Sequence, residues 1–255
     1  MPLIAAWNFE QPNDPTYEDV SGNGNNLTPG LNSQSVTGYH GSYAVQSWED
    51  TQAELGSAAY GTYPGGSPLG NPVTIMFWAR MLVASDEVFV SGLNNVASRQ
   101  DPWGIYAGLD GSVLAWWYDD TNTISSGALT ATPGLLANNT WAHVAAVMVP
   151  GSGVTVYVNG STASTYAWQS GTTAFYSDWE ILLLGSSRWG SGTTDIDDVR
   201  IYDEVLNGGQ ITSLMNQPVG AINTLRIGSV APTAVYVGGD VATRAYLGGN
   251  LVYES

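Results

Sequence analysis

Short runs rich in Val, Ile, Tyr, Trp and Thr, each closed by Gly, Pro, Asn or Ser, recur along nearly the whole chain. Such residues suit a pleated, half-buried surface, and such breakers supply the reversals between strands. Helical periodicity is almost absent, so little other than an antiparallel β structure is open to this chain. The segments "LIAAWNF", "SYAVQSW", "VTIMFWARML", "EVFVSG", "WGIYAGL", "SVLAWWY", "WAHVAAVMV", "VTVYVNG", "EILLLG" and "DDVRIY" read as strands. In "VTVYVNG", Val154, Val156 and Val158 fall on one face, Thr155 and Tyr157 on the other. The Asn159-Gly160 pair that follows fits a type I′ turn, which needs positive φ at both central residues. So many short strands imply an all-β sandwich of two antiparallel sheets. A chain of 255 residues is long enough to bury a sizeable core in one such domain.

One short helix is expected. Asn207 can cap it, Gln210 completes a capping box, and Ile211, Leu214 and Met215 form its apolar stripe. Pro218 prevents further extension. Beyond it the character changes. Tyr236-Val237-Gly238-Gly239-Asp240 returns ten residues later as Tyr246-Leu247-Gly248-Gly249-Asn250. Each Gly-Gly suits a tight turn, so the last segment reads as a small β-meander. A piece of fewer than about 40 residues buries too little apolar area to offset its ordering entropy. The domains are therefore 1–217, the sandwich, and 218–255, a Gly-rich hairpin or meander tail for assembly or docking.

Charge narrows the partners. The formal net charge is −16, and the sequence holds six arginines and no lysine. Such a surface repels phosphate backbones and anionic headgroups, which disfavours nucleic acid and membrane surfaces. No run approaches the length of a membrane span, so membrane insertion is not expected. The absence of cysteine excludes disulfides and thiolate metal sites. "MPLIAAWNFEQP" has neither a basic n-region nor a long apolar core and does not read as a signal peptide. The expectation is a chain made in a cytoplasm that reaches the outside by another route, such as a virus particle released by lysis.

The order of motifs up to about residue 217 resembles the laminin-G-like, concanavalin A-type family of lectin and glucanase sandwiches. The matching pieces are "AAWNFE" with "EDVSGNGNN", "VTIMFWARM", "NTWAHVAAVM" with "VTVYVNG", and "DIDDVRIYDEVLNGGQITSL". The resemblance implies a jelly-roll of two curved antiparallel sheets, and often one calcium ion near the rim. The tail resembles short Tyr-x-Gly-[Gly/Ser] repeats near the ends of bacteriophage structural proteins.

Glucanases of this fold carry carboxylates at i, i+2 and i+4 of one strand, and the resemblance directs attention to "DIDDVRIYDEVL". Asp195 and Asp197 share a strand face, while position i+4 is the apolar Val199. Retaining hydrolysis needs two carboxyl groups about 5–5.5 Å apart, whereas Cα atoms two apart on a strand lie about 6.6–6.8 Å apart. No catalytic residues are therefore assigned. His143 in "WAHV" reads as a paired structural histidine of a core strand. Two readings of the acids stay open. Asp19 and Asn23, with Asp197 from the strand that the resemblance places nearby, could hold calcium, which takes six to eight oxygen ligands. Alternatively Asp19 and Asn23 hydrogen-bond their own loop, Asp197 accepts neighbouring N–H groups and Asp198 pairs with Arg200.

Ten tryptophans remain to be placed. Trp7, Trp78 and Trp141 fall in strand motifs and read as core. Trp103, Trp117, Trp168 and Trp189 are candidates for stacking on a glycan or for packing at an interface. The tail residues Tyr236, Gly238, Gly239, Tyr246, Gly248 and Gly249 are candidates for assembly. Three functions follow. The preferred one is a non-enzymatic structural protein of a bacteriophage virion, a capsid decoration or appendage subunit that displays a lectin-like domain. Its partners would be other virion proteins, copies of itself and cell-surface glycans. The alternative is a glycan- or receptor-binding module on a tail fibre or free in solution, and a glucanase comes third.

Overall fold

The computed structural model describes residues 3–12, 16–29, 33–48, 59–62, 72–82, 87–93, 103–108, 110–117, 129–130, 133–149, 151–167, 181–186, 193–219, 244–247 and 250–254. The chain divides into two compact units, Met1–Val219 and Gly220–Ser255. In the first unit the strands are β1 (Leu3–Trp7), β2 (Thr28–Pro29), β3 (Ser33–Thr37), β4 (Tyr43–Trp48), β5 (Ala59–Thr62), β6 (Val73–Met81) and β7 (Glu87–Leu93). They continue as β8 (Trp103–Ala107), β9 (Val113–Trp117), β10 (Leu129–Thr130), β11 (Ala142–Val149), β12 (Gly153–Val158), β13 (Ser161–Ala167), β14 (Ile181–Ser186) and β15 (Thr193–Tyr202). One helix follows, α1 (Gly208–Met215).

These strands make two antiparallel sheets, the jelly-roll β-sandwich expected. One runs β13-β12-β11-β6-β15-β4-β3, with β1 also on β15; the other runs β10-β9-β8-β7-β14-β5-β2. Apolar residues of alternating parity fill the space between them: Ile75, Phe77 and Ala79 of β6, Val144, Ala146 and Met148 of β11, Ile196, Val199 and Ile201 of β15, with Phe89 and Ile105 opposite. The alternation in β12 is as expected, with Val154, Val156 and Val158 buried in this core and Thr155 and Tyr157 half-buried outside it. Asn159 and Gly160 take φ of 51° and 78°, the positive pair that the turn into β13 demands.

The outer face of the eight-stranded sheet is also partly covered. Helix α1 seats Ile211 on Met76, Ala145, Val147, Tyr202 and Leu206, a second apolar cluster. Its start is the expected capping box: Asn207 Oδ1 accepts from the Gln210 N–H, and Gln210 Oε1 accepts from the Asn207 N–H.

The second unit is described by a hairpin, β16 (Arg244–Leu247) paired antiparallel with β17 (Asn250–Glu254). Tyr246 lies in β16 opposite Leu251. Tyr236, Gly238, Gly239, Gly248 and Gly249 lie outside the described residues, so the decapeptide repeat as a whole is not seen.

Candidate functional site

Strand β15 changes partner part-way along. Thr193–Ile196 pair with β4, whereas Val199–Tyr202 pair with β1. The ladder to β6 slips between Asp197 and Arg200, and Asp198 sits at φ 55°, a left-handed conformation that aspartate tolerates better than most residues. This β-bulge resets the alternation. Val199 turns into the inter-sheet core, while Asp195, Asp197, Asp198 and Arg200 engage groups on the outer face. Val199, at i+4 from Asp195, therefore faces inward, and the outward positions after the paired acids are held by Asp198, already bonded to His40, and by Arg200. A guanidinium stays protonated and cannot serve as the acid/base of a hydrolase.

Each acid of the cluster is already engaged. Asp195 is fully buried and receives Arg80 through Nε at 2.7 Å and Nη2 at 2.6 Å, while its Oδ1 accepts from Gln46 at 2.7 Å. Asp197 Oδ2 accepts the backbone N–H groups of Tyr39 (2.8 Å) and His40 (3.0 Å), which fixes the turn between β3 and β4. Glu10 holds the other side of that turn by accepting from Ser42 and Tyr43. Asp198 Oδ2 meets His40 Nδ1 at 2.5 Å and Arg200 at 3.3 Å, and Oδ1 accepts from the Val219 N–H. Arg200 also donates to the carbonyls of Leu214 and Gln217, tying the end of α1 to the sheet. The stretch "DIDDVR" thus clamps a turn and a helix end onto the outer face.

Two groups there are strongly perturbed. Burial, reinforced by the neighbouring Asp198, pushes the Asp197 carboxyl up to about 8. Its Oδ1 has no hydrogen-bond partner among the described residues, so an anion there would be half unsatisfied. Burial, with Arg200 and His40 nearby, lowers His143 to about 3. His143 is buried as expected; its Nδ1 lacks a partner among the described residues, and its ring stands edge-on to Trp78 at 5.3 Å.

The three calcium candidates are committed to different segments. Asp19 Oδ1 accepts from Ala6 and Ser21 and its Oδ2 from Asn25, all at 2.9 Å. Asn23 donates its amide to the carbonyls of Leu3 and Ile4, and Asp197 is engaged by the β3–β4 turn. No group of three or more acidic or histidine side chains suited to a metal occurs among the described residues. The hydrogen-bonded alternative describes this loop, since its own N–H groups bond both Asp19 oxygens and the Asn23 amide nitrogen bonds carbonyls of β1.

The tryptophan assignments change as well. Trp103 opens β8 rather than lying in a loop, is buried in the inter-sheet core, and fills the space left by Gly92, where a Cβ would strike its indole. It cannot stack on a ligand. Trp168, Trp189 and the side chain of Trp117 lie outside the described residues. Trp141, read as core, is instead half-buried on the outer face, with the Arg80 guanidinium 4.9 Å above its ring. Trp78 lies on the same face beneath Tyr39, the two rings stacked at 3.5 Å, and donates Nε1 to the Met215 carbonyl.

A continuous row results. Gln34 of β3 lies opposite Gln46 of β4, Gln46 opposite Asp195 of β15, and Asp195 opposite Arg80 of β6. The side chains link in the same order, Gln34 donating to Gln46 at 2.6 Å, and Arg80 closes the row on Trp141. Tyr39, 41% exposed, rises beside it with its ring 6.1 Å from that of Trp141. Five positions at about 4.8 Å per strand give a row of roughly 19 Å. The planar amide and guanidinium groups, held in place by the buried Asp195 and bordered by aromatic faces, can hydrogen-bond hydroxyls while an aromatic ring stacks on a flat apolar sugar face.

Residues 55–212 match the family described as the concanavalin A-like lectin/glucanases superfamily, in its laminin-G form. The chain belongs to that superfamily. No curated protein matches the chain. Among solved structures, the binding domain of Paraclostridial Mosquitocidal Protein 1 superposes with a TM-score of 0.67 at 18% identity, over 88% of this chain and 53% of that one. The botulinum neurotoxin serotype G binding domain gives 0.63 at 14% identity, over 89% and 53%. A structure of botulinum neurotoxin type C, whose cell entry depends on interaction with two ganglioside molecules, gives 0.61 at 15% identity, over 88% and 53%. The superfamily member thus spans about half the length of the structures it matches, and at these identities the likeness is one of fold.

Proposed function

We propose that this protein is a non-enzymatic, lectin-like recognition module that binds glycans on the outer face of its eight-stranded sheet. The observation that carries the reading is the row Gln34–Gln46–Asp195–Arg80 closed by Trp141 and walled by Tyr39. The inward turn of Val199, and the engagement of Asp195, Asp197 and Asp198 by other residues, oppose hydrolysis. The binding-domain neighbours and the lectin half of the superfamily description support the same direction. Glycan-array binding by the full chain, compared with Trp141→Ala and Tyr39→Ala, tests it. Binding that disappears in both variants is expected; a silent array, or binding indifferent to both, refutes it.

A second reading concerns the setting of this module. A two-stranded hairpin such as Arg244–Leu247 with Asn250–Glu254 is marginal by itself in water, which favours a role in holding the chain to a neighbour. We place that neighbour in a phage particle, as another copy or another virion protein. The native mass of the full chain against a chain ending at Val219 tests the attachment: a drop from oligomer to monomer is expected, and an unchanged mass counts against it.

A further inference from the structure

Granting the glycan-binding reading above, we infer that the row takes uncharged sugars and turns away those capped with carboxylate or sulfate. Recognition of an anion needs a cation whose charge is not already neutralised, or a cluster of unshared N–H donors. Among the described residues, the outer face supplies neither. Arg80 is the one described arginine within the row, and its charge is matched at 2.6–2.7 Å by an Asp195 carboxylate that is fully buried. The other described arginine side chain, Arg200, is buried against Asp198 and two carbonyls. His40 meets the same Asp198. The sequence contains no lysine, and the net charge of −16 sets a repulsive field around whatever approaches.

What the row does present is neutral on balance. The Gln34 and Gln46 amides offer both donors and acceptors, and the Tyr39 ring and the Trp141 indole offer apolar faces. A sugar hydroxyl both donates and accepts, so a neutral polyol can satisfy such a set. An added carboxylate or sulfate would bring acceptors alone, plus a charge that must shed its water beside Asp195 without a free counter-ion.

The test uses the full chain on a printed set of neutral oligosaccharides, each beside its sialylated or sulfated counterpart, followed by titration of the strongest pair at low and physiological salt. Capping is expected to weaken binding at least tenfold, while the affinity for the neutral member stays insensitive to salt. Gln34→Arg, at an exposed position that leaves the fold intact, adds an unpaired cation to the end of the row and is expected to recover most of the loss for the capped member. Tighter binding of capped sugars by the natural chain overturns the inference and leaves the glycan reading standing. Silence toward both members overturns both. Indifference of the capped sugar to Gln34→Arg shows that the row is not where the ligand sits.

Discussion

Replacing Asp197 by asparagine removes one ionisable group from beneath the β3–β4 turn and keeps its shape. In the folded chain the carboxyl, pushed up to about 8 by burial and by Asp198, holds its proton far more tightly than an unfolded aspartate, whose ordinary value is 3.8. A group with a raised folded pKa adds stability fully present below its unfolded value and lost as pH climbs to the folded one. Asp197 therefore makes stability fall between pH 4 and 8, by up to about 1.4 kcal/mol per pH unit. His143 works in the other direction. Lowered to about 3 from 6.5, it makes stability rise with pH between those values. The two slopes offset each other from about pH 4 to 6.5, leaving Asp197 alone above that. From pH 6.5 to 8 the natural protein should lose roughly 2 kcal/mol, by the same conversion. Tyr17 and Tyr202, whose phenols burial raises above 10, titrate outside this window. In Asp197→Asn the amide oxygen still accepts from Tyr39 and His40, so the fold is retained. The loss above pH 6.5 disappears, and a rise from pH 4 to 6.5, due to His143, is uncovered. Urea unfolding at half-unit pH steps measures both curves. An equal decline above pH 6.5 in the variant would show that another group carries it and that Asp197 is ionised in the fold.

Trp103→Ala empties a site in the inter-sheet core and should cost about 3–5 kcal/mol in urea unfolding, whereas Trp141→Ala on the outer face should cost about 1 kcal/mol or less while abolishing glycan binding. Equal costs would mean that the two indoles are not on different faces. Asn207→Ala removes the helix cap and should lower stability by about 1 kcal/mol, read as a shift in the urea midpoint. With the Asp19 oxygens taken by three N–H groups, excess EDTA should leave the melting temperature unchanged; a fall of several degrees, reversed by calcium, would assign the loop to a cation instead.

Sequence pattern proves a good guide wherever burial has a local period. The runs around Ile75, Val144, Val156 and Ile201 alternate because each strand has one face in the core, and Asn207 with Gln210 announces the helix start through chemistry three residues apart. The strands Ser33–Thr37 and Ser161–Ala167 escape notice for a related reason. They lie at the two edges of the larger sheet, and their Ser- and Thr-rich sequences resemble loops more than buried strands. The bulge at Asp198 is illegible because an aspartate at positive φ carries no mark that glycine would, yet that single residue turns Val199 into the core and sends Arg200 outward. Trp141 was recoverable: counting by twos from the buried Ala142, Val144 and Ala146 puts it on the opposite face with His143. The row itself is a different matter. Asp195 meets Gln46 across 149 positions and Arg80 across 115, and the strand order that sets those registers is fixed by the whole sandwich. Four polar residues with no common motif become one row because β3, β4, β15 and β6 lie side by side. The row and the core are thus set by opposite faces of the same strands, so the core pattern of β6 and β15 places no constraint on which polar side chains the row carries.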